Sequence, residues 1–217
     1  MGNVKITLQL FCPVGYINKD EEIYTMKKII AFFMAAVMMF TIAGCGTAGP
    51  QENPSPSKAA IDSSEDLLNQ VRNAFSEDEK FAVMGGDYNH PVDGAAGAFD
   101  ITDTESLAYI LYVPADQAAM IDGAASLMHG MNANTFTGAA FHLSNPENMA
   151  SFVEALKDNI MNSLWMCGFP DTLNIFMVND EYVVSAFGNA EIMENFKTKL
   201  MEVFGDNAVL SVEENLI

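Results

Sequence analysis

The chain has 217 residues, with ten Lys plus Arg against 29 Asp plus Glu and a net charge of −19. Residues 1–44 contribute four of the basic and three of the acidic groups, leaving six against 26 and a net of −20 for residues 45–217. Such a surface excludes nucleic acid as a partner, because phosphate binding needs a basic footprint. It favours solubility, and the sharper alternative is attraction to cations or a basic partner.

In chain order, residues 1–25 are expected to be an upstream mis-start, with Met26 the true beginning. Lys19-Asp20-Glu21-Glu22 can be encoded by purine-rich codons like those of a bacterial ribosome-binding site, shortly before Met26. Peptides from residues 1–25 in a digest of the source cells would disprove this. Lys27 and Lys28 then precede an apolar run from Ile29 to Phe40, and Ile42-Ala43-Gly44 leads into Cys45. A positive region, a short apolar stretch and a small-residue cleavage site make a secretory signal. The run is shorter than the ~20 residues that span a bilayer. Residues 26–44 resemble a bacterial lipoprotein signal peptide, and Ile42-Ala43-Gly44-Cys45 resembles its lipobox. That resemblance implies that Cys45 carries a diacylglyceryl group and becomes the first mature residue. It places the protein on the extracytoplasmic side of the cell membrane. Two acyl chains give stable anchoring where one is marginal.

Of the three cysteines, Cys12 lies upstream and Cys45 is the lipid carrier, so Cys167 has no partner for an intramolecular disulfide. Gly46 to Ile61 is rich in Pro, Gly, Ser and Ala. It is a flexible tether with a reach of roughly 20–24 Å. Residues 62–217 form one domain of ordinary size.

Asp62, Ser63 or Ser64 caps a first helix over 64–76, whose buried face is Leu67, Leu68, Val71 and Phe75. Glycines and Pro91 predict an irregular loop over 84–99. Asp103 or Thr104 caps a short helix through Tyr112. Residues 115–129 are ambiguous between an alanine-rich helix and a strand. Phe136 to Leu143 is a strand. Ser144 and Glu147 form a capping box, with Pro146 in the first turn. The helix that follows carries Met149, Phe152, Val153, Leu156, Ile160, Met161 and Leu164 on one stripe. Leu173 to Val178 and Tyr182 to Phe187 are strands around a turn at Asn179-Asp180. Asn189 caps the last helix, with a stripe of Ile192, Met193, Phe196, Leu200 and Phe204 and a stop at Gly205. Ala208 to Val212 is a final strand.

The class is therefore α+β. Residues 135–213 run β-α-β-β-α-β, a ferredoxin-like split βαβ with two helices on one face, after a helical and irregular N-terminal part. The lipobox and Pro/Ser tether, the Asp66-Leu67-Leu68 helix and the Tyr182-Val183-Val184 strand resemble a family of small lipoproteins of low-GC Gram-positive bacteria. That resemblance implies no activity and no functional residue beyond Cys45.

No GxSxG, Walker, HExxH or CxxC motif is present. Cys167 could pair with His129 or His142 as nucleophile and base, or be a buried, inert thiol. Asp87, Asn89 and Asp93 place oxygen ligands at alternate positions, near Asp100, Asp103 and Glu105. Pro91 and Val92 break the EF-hand pattern. Met128, His129 and Met131 offer soft ligands of the kind that bind Cu(I), although most methionines fill helix cores. His142 is expected to be a satisfied core histidine. The expectation is a lipid-anchored, non-enzymatic binding module without a cofactor, whose partners are the membrane and an envelope protein or small ligand. The alternative is a Ca- or Cu-binding lipoprotein.

Overall fold

The computed structural model describes residues 60–166 and 168–216. The signal segment, Cys45, the tether to residue 59 and Cys167 lie outside the described residues. Among those described, no helix is long and apolar enough to cross a membrane.

The class is α+β, as expected, with four helices and an eight-stranded antiparallel sheet among the described residues. Helix α1 (Ser64–Asn73) is capped by the Ser63 hydroxyl, which accepts from the Asp66 N–H at 3.0 Å. The predicted loop over 84–99 instead holds three short strands, β1 (Val83–Gly86), β2 (Pro91–Asp93) and β3 (Gly97–Ala98). Its glycines allow close backbone packing rather than breaking structure. A Cβ on Gly85 would stand 2.3 Å from the Gly97 nitrogen.

Helix α2 (Thr104–Ile110) is capped by Asp103 and ends two residues before the predicted Tyr112. The ambiguous stretch becomes a 3-10 turn and then strand β4 (Ile121–His129). Strand β5 (Phe136–Leu143) matches its prediction. The capping box does not form. Asn145, not Ser144, accepts from the Glu147 N–H at 3.0 Å, while the Ser144 N–H is drawn to the Met120 carbonyl. Helix α3 (Met149–Met161) stops short of Leu164, which is 95% exposed instead of lying on the buried stripe. Strands β6 (Thr172–Val178) and β7 (Tyr182–Gly188) turn through Asn179 and Asp180, both in the left-handed region. Asn189 caps α4 (Ala190–Phe204), Gly205 ends it, and β8 (Ala208–Asn215) follows.

The strand order is β2-β1-β4-β5-β7-β6-β8, with β3 also pairing β4. The split unit β5-α3-β6, with β7 between its strands, is present. A ferredoxin-like sheet would place the last strand beside β5; here β4 pairs with that edge and β8 pairs β6. From β5 to β6 and from β7 to β8 the chain steps in the same direction across the sheet, yet β5 and β7 run antiparallel. Right-handed crossovers then put the two helices on opposite faces, not on one. The core follows this rule. Phe196 and Leu200 of α4 pack with α1, Phe136, Phe176 and Val184. Phe152 and Leu156 of α3 pack with Leu107, Phe141, Ile175 and Val183. Alternate residues of β5 to β7 serve alternate layers, which is why these strands are largely apolar on both faces.

Candidate functional site

Where the α2/α3 layer stops short of the end of the sheet, it leaves a hollow of about 540 Å³. Its floor is one cross-strand row. Met84 of β1 stands opposite Met128 of β4, Met128 opposite Thr137 of β5, and Thr137 opposite Phe187 of β7. Direct cross-strand neighbours share a face, so the row is continuous. One wall is the end of α2, with Tyr109, Ile110 and Tyr112. The other is Leu164, Trp165 and Met166, just past α3. Asp87 and Tyr88, from the β1–β2 turn, form the rim.

Three of these rings form a single cluster. The Tyr112, Trp165 and Phe187 centroids lie 5.1 to 5.5 Å apart, tilted or edge to face, arrangements that match ring edges to faces. Tyr112 holds its place with φ at +60°, a left-handed conformation that bulky residues rarely adopt. The Asn159 amide of α3 donates to its carbonyl at 2.7 Å. Burial, helped by the nearby Tyr109 phenol, raises the Tyr112 pKa, so it is a neutral hydroxyl. Asn134, in the 3-10 turn before β5, donates to the Met166 and Gly168 carbonyls at 2.8 and 3.0 Å, tying the Trp165 wall to that turn.

Asp87 is only 8% exposed. Burial opposes its charge. The His90, Asn89 and Asp100 backbone N–H groups and the His90 ring outweigh that effect and lower its pKa. Its oxygens are thus engaged in holding the turn. Asn89 in the turn and Asp93 at the end of β2, opposite Met84, are exposed. The soft-ligand trio is divided. Met128 faces the hollow, while His129, the next residue on the strand, points to the other face and stacks on Phe81 at 5.4 Å. The His129 Nδ1 accepts from the Met131 and Asn132 N–H groups, and the Met131 side chain is exposed. Among the described residues, no three His, Cys, Asp or Glu side chains gather as a metal-ion site. His142 is partly exposed rather than enclosed in the core; its Nδ1 bonds Asp122 and its ring lies 4.8 Å from Tyr182. No His lines the hollow.

The sequence reading missed this hollow. The available signal was Leu164-Trp165-Met166, three large apolar residues running past the end of a helix toward Gly168 and Pro170.

The chain matches no protein-family model, no curated protein and no solved structure.

Proposed function

We propose that the protein is a lipid-anchored ligand-binding module of the cell envelope, held at Cys45 and binding a small molecule in the aromatic hollow. The carrying observation is the hollow. At about 540 Å³ it falls within the ~300–1,000 Å³ of ligand sites, and it has their composition of apolar and aromatic walls with few polar groups. Five of the ten large hydrophobic residues most exposed in the described chain line it: Met84, Tyr88, Tyr109, Leu164 and Met166. Such a grouping marks an interaction site, where scattered exposed residues would not.

A binding role is favoured over a catalytic one by the lining itself. Among the described residues, its titratable groups are Asp87, whose oxygens already hold the turn, and three tyrosines. No nucleophile–base pair is among them. The anchor is supported by the signal-like segment that ends at Cys45.

Trp165, the only tryptophan of the chain, stands in the wall. Its emission should shift and saturate on titration with small aromatic probes of varied charge. A broad probe set that neither moves the emission nor yields calorimetric heat would refute the binding site. Intact mass spectrometry of protein purified from its native membrane should give a chain starting at Cys45 with two or three acyl chains. An unmodified chain starting at Met1 would refute the anchor.

A further inference from the structure

The hollow does not stand alone. A second recess of about 360 Å³ adjoins it, lined by Tyr88, Asp103, Glu105, Ser106 and Tyr109. Tyr88 and Tyr109 line both spaces, so the two tyrosines stand at their junction. On one side lies the Tyr112–Trp165–Phe187 cluster, and on the other lie two carboxylates.

Charge is one-sided across both spaces. Asp87 lies at the rim of the large hollow, and Asp103 and Glu105 line the small recess. Among the described residues, neither is lined by a lysine or arginine. Asp103 accepts from the backbone N–H and the hydroxyl of Ser106. These bonds lower its pKa and keep it ionised at neutral pH. Tyrosine faces attract cations by their quadrupole, most strongly for ammonium groups without competing hydration. An anion placed at the junction would meet three carboxylates and, among the described residues, no compensating positive charge.

We propose that the ligand is an amphipathic organic cation, with an apolar or aromatic body in the large hollow and an amine or quaternary ammonium group at the Tyr88–Tyr109 junction, facing Asp103 and Glu105. This rests on the hollow being a ligand site and adds the ligand's charge and its orientation.

The test compares three probes of one shape on the purified full chain, read by Trp165 emission and by calorimetry. Benzyltrimethylammonium is the cation, neopentylbenzene its neutral isostere and benzylsulfonate the anion. The cation should bind about tenfold or more tighter than the neutral isostere, and the anion should bind weakest. Tyr109→Leu, at a residue 74% exposed on α2, keeps the apolar area and removes the aromatic face. It should weaken the cation about two- to fivefold and weaken the neutral isostere by less. Glu105→Gln should also weaken the cation alone. Equal affinity for cation and isostere would overturn the charge assignment and leave the hollow a site for apolar ligands. Tighter binding of the anion would overturn it as well. If none of the three binds, the cation proposal fails, and the broader probe set above decides whether the hollow binds anything.

Discussion

The Asn159 side-chain amide donates to the backbone carbonyl of Tyr112 at 2.7 Å, across 47 residues of sequence. Tyr112 is the residue of the α2 terminus with left-handed backbone, and its ring is one wall of the hollow. The bond therefore couples helix α3 to the shape of the site. Asn159→Ala leaves a partly buried carbonyl without its donor, which costs about 1–3 kcal/mol. Urea unfolding should show this loss. Probe affinity should fall as well, because the aromatic wall is no longer fixed.

Asp87 gives stability a defined acid limb. Its folded pKa lies below the ordinary carboxylate value, so the unfolded chain takes up its proton first as pH falls. The contribution is complete above the unfolded value, near 4, and is lost as pH drops through the folded one. Urea melts between pH 6 and pH 2.5 should show stability declining through this window. Asp87→Asn should be less stable at pH 6 and should decline less steeply.

Two glycines separate crowding from backbone strain. A Cβ at Gly85 meets backbone atoms of the β3 segment at 2.3 to 2.6 Å, and Gly85→Ala should cost about 1–3 kcal/mol or more. Gly94 has φ at +76° with nothing within 4 Å of the added carbon. Gly94→Ala should cost roughly 1–2 kcal/mol, from the left-handed conformation alone. Thermal melts of the pair should rank Gly85→Ala as the more damaging.

The sheet divides the apolar interior into two layers, and the layers should act independently. Ile160→Val loosens the α3 layer and Phe196→Leu the α4 layer. With no shared partners, the double variant should lose the sum of the single losses to within about 0.5 kcal/mol. A larger coupling energy in the double-mutant cycle would show that the layers communicate through the sheet.

Much of the fold was legible because its signals are local. The turn at Asn179-Asp180, the Asn189 cap and the apolar stripes of α1 and α4 depend on residues within a few positions of one another. Strands β1 to β3 were not legible, because Gly85 and Gly97 become strand residues only when distant segments pair across them. The placement of α3 and α4 on opposite faces was hidden for a related reason. Element order is identical whether β8 joins β5 or β6, and the choice is made by β4, which lies outside the β-α-β-β-α-β segment. Of the candidate site residues, Asp87 and Met128 do reach the hollow, the first as a rim charge and the second as floor. Met128 and His129 are adjacent in sequence, so strand alternation sends them to opposite sides. That separation could have been read as soon as residues 121–129 were assigned to a strand.

The interlocked crossovers also bear on the rate at which the chain reaches its fold. The β4–β5 and β6–β7 hairpins join neighbours and can close within microseconds. Joining them through β5 and β7 spans the whole of α3, and adding β8 beside β6 spans α4. Pairings of this kind pay loop-closure entropy before they gain contacts, and they slow folding toward the millisecond-to-second range. The hollow's floor crosses the seam between the hairpins at Thr137 and Phe187. Recovery of Trp165 emission after dilution from urea should therefore lag behind hairpin formation and report the docking of the two halves.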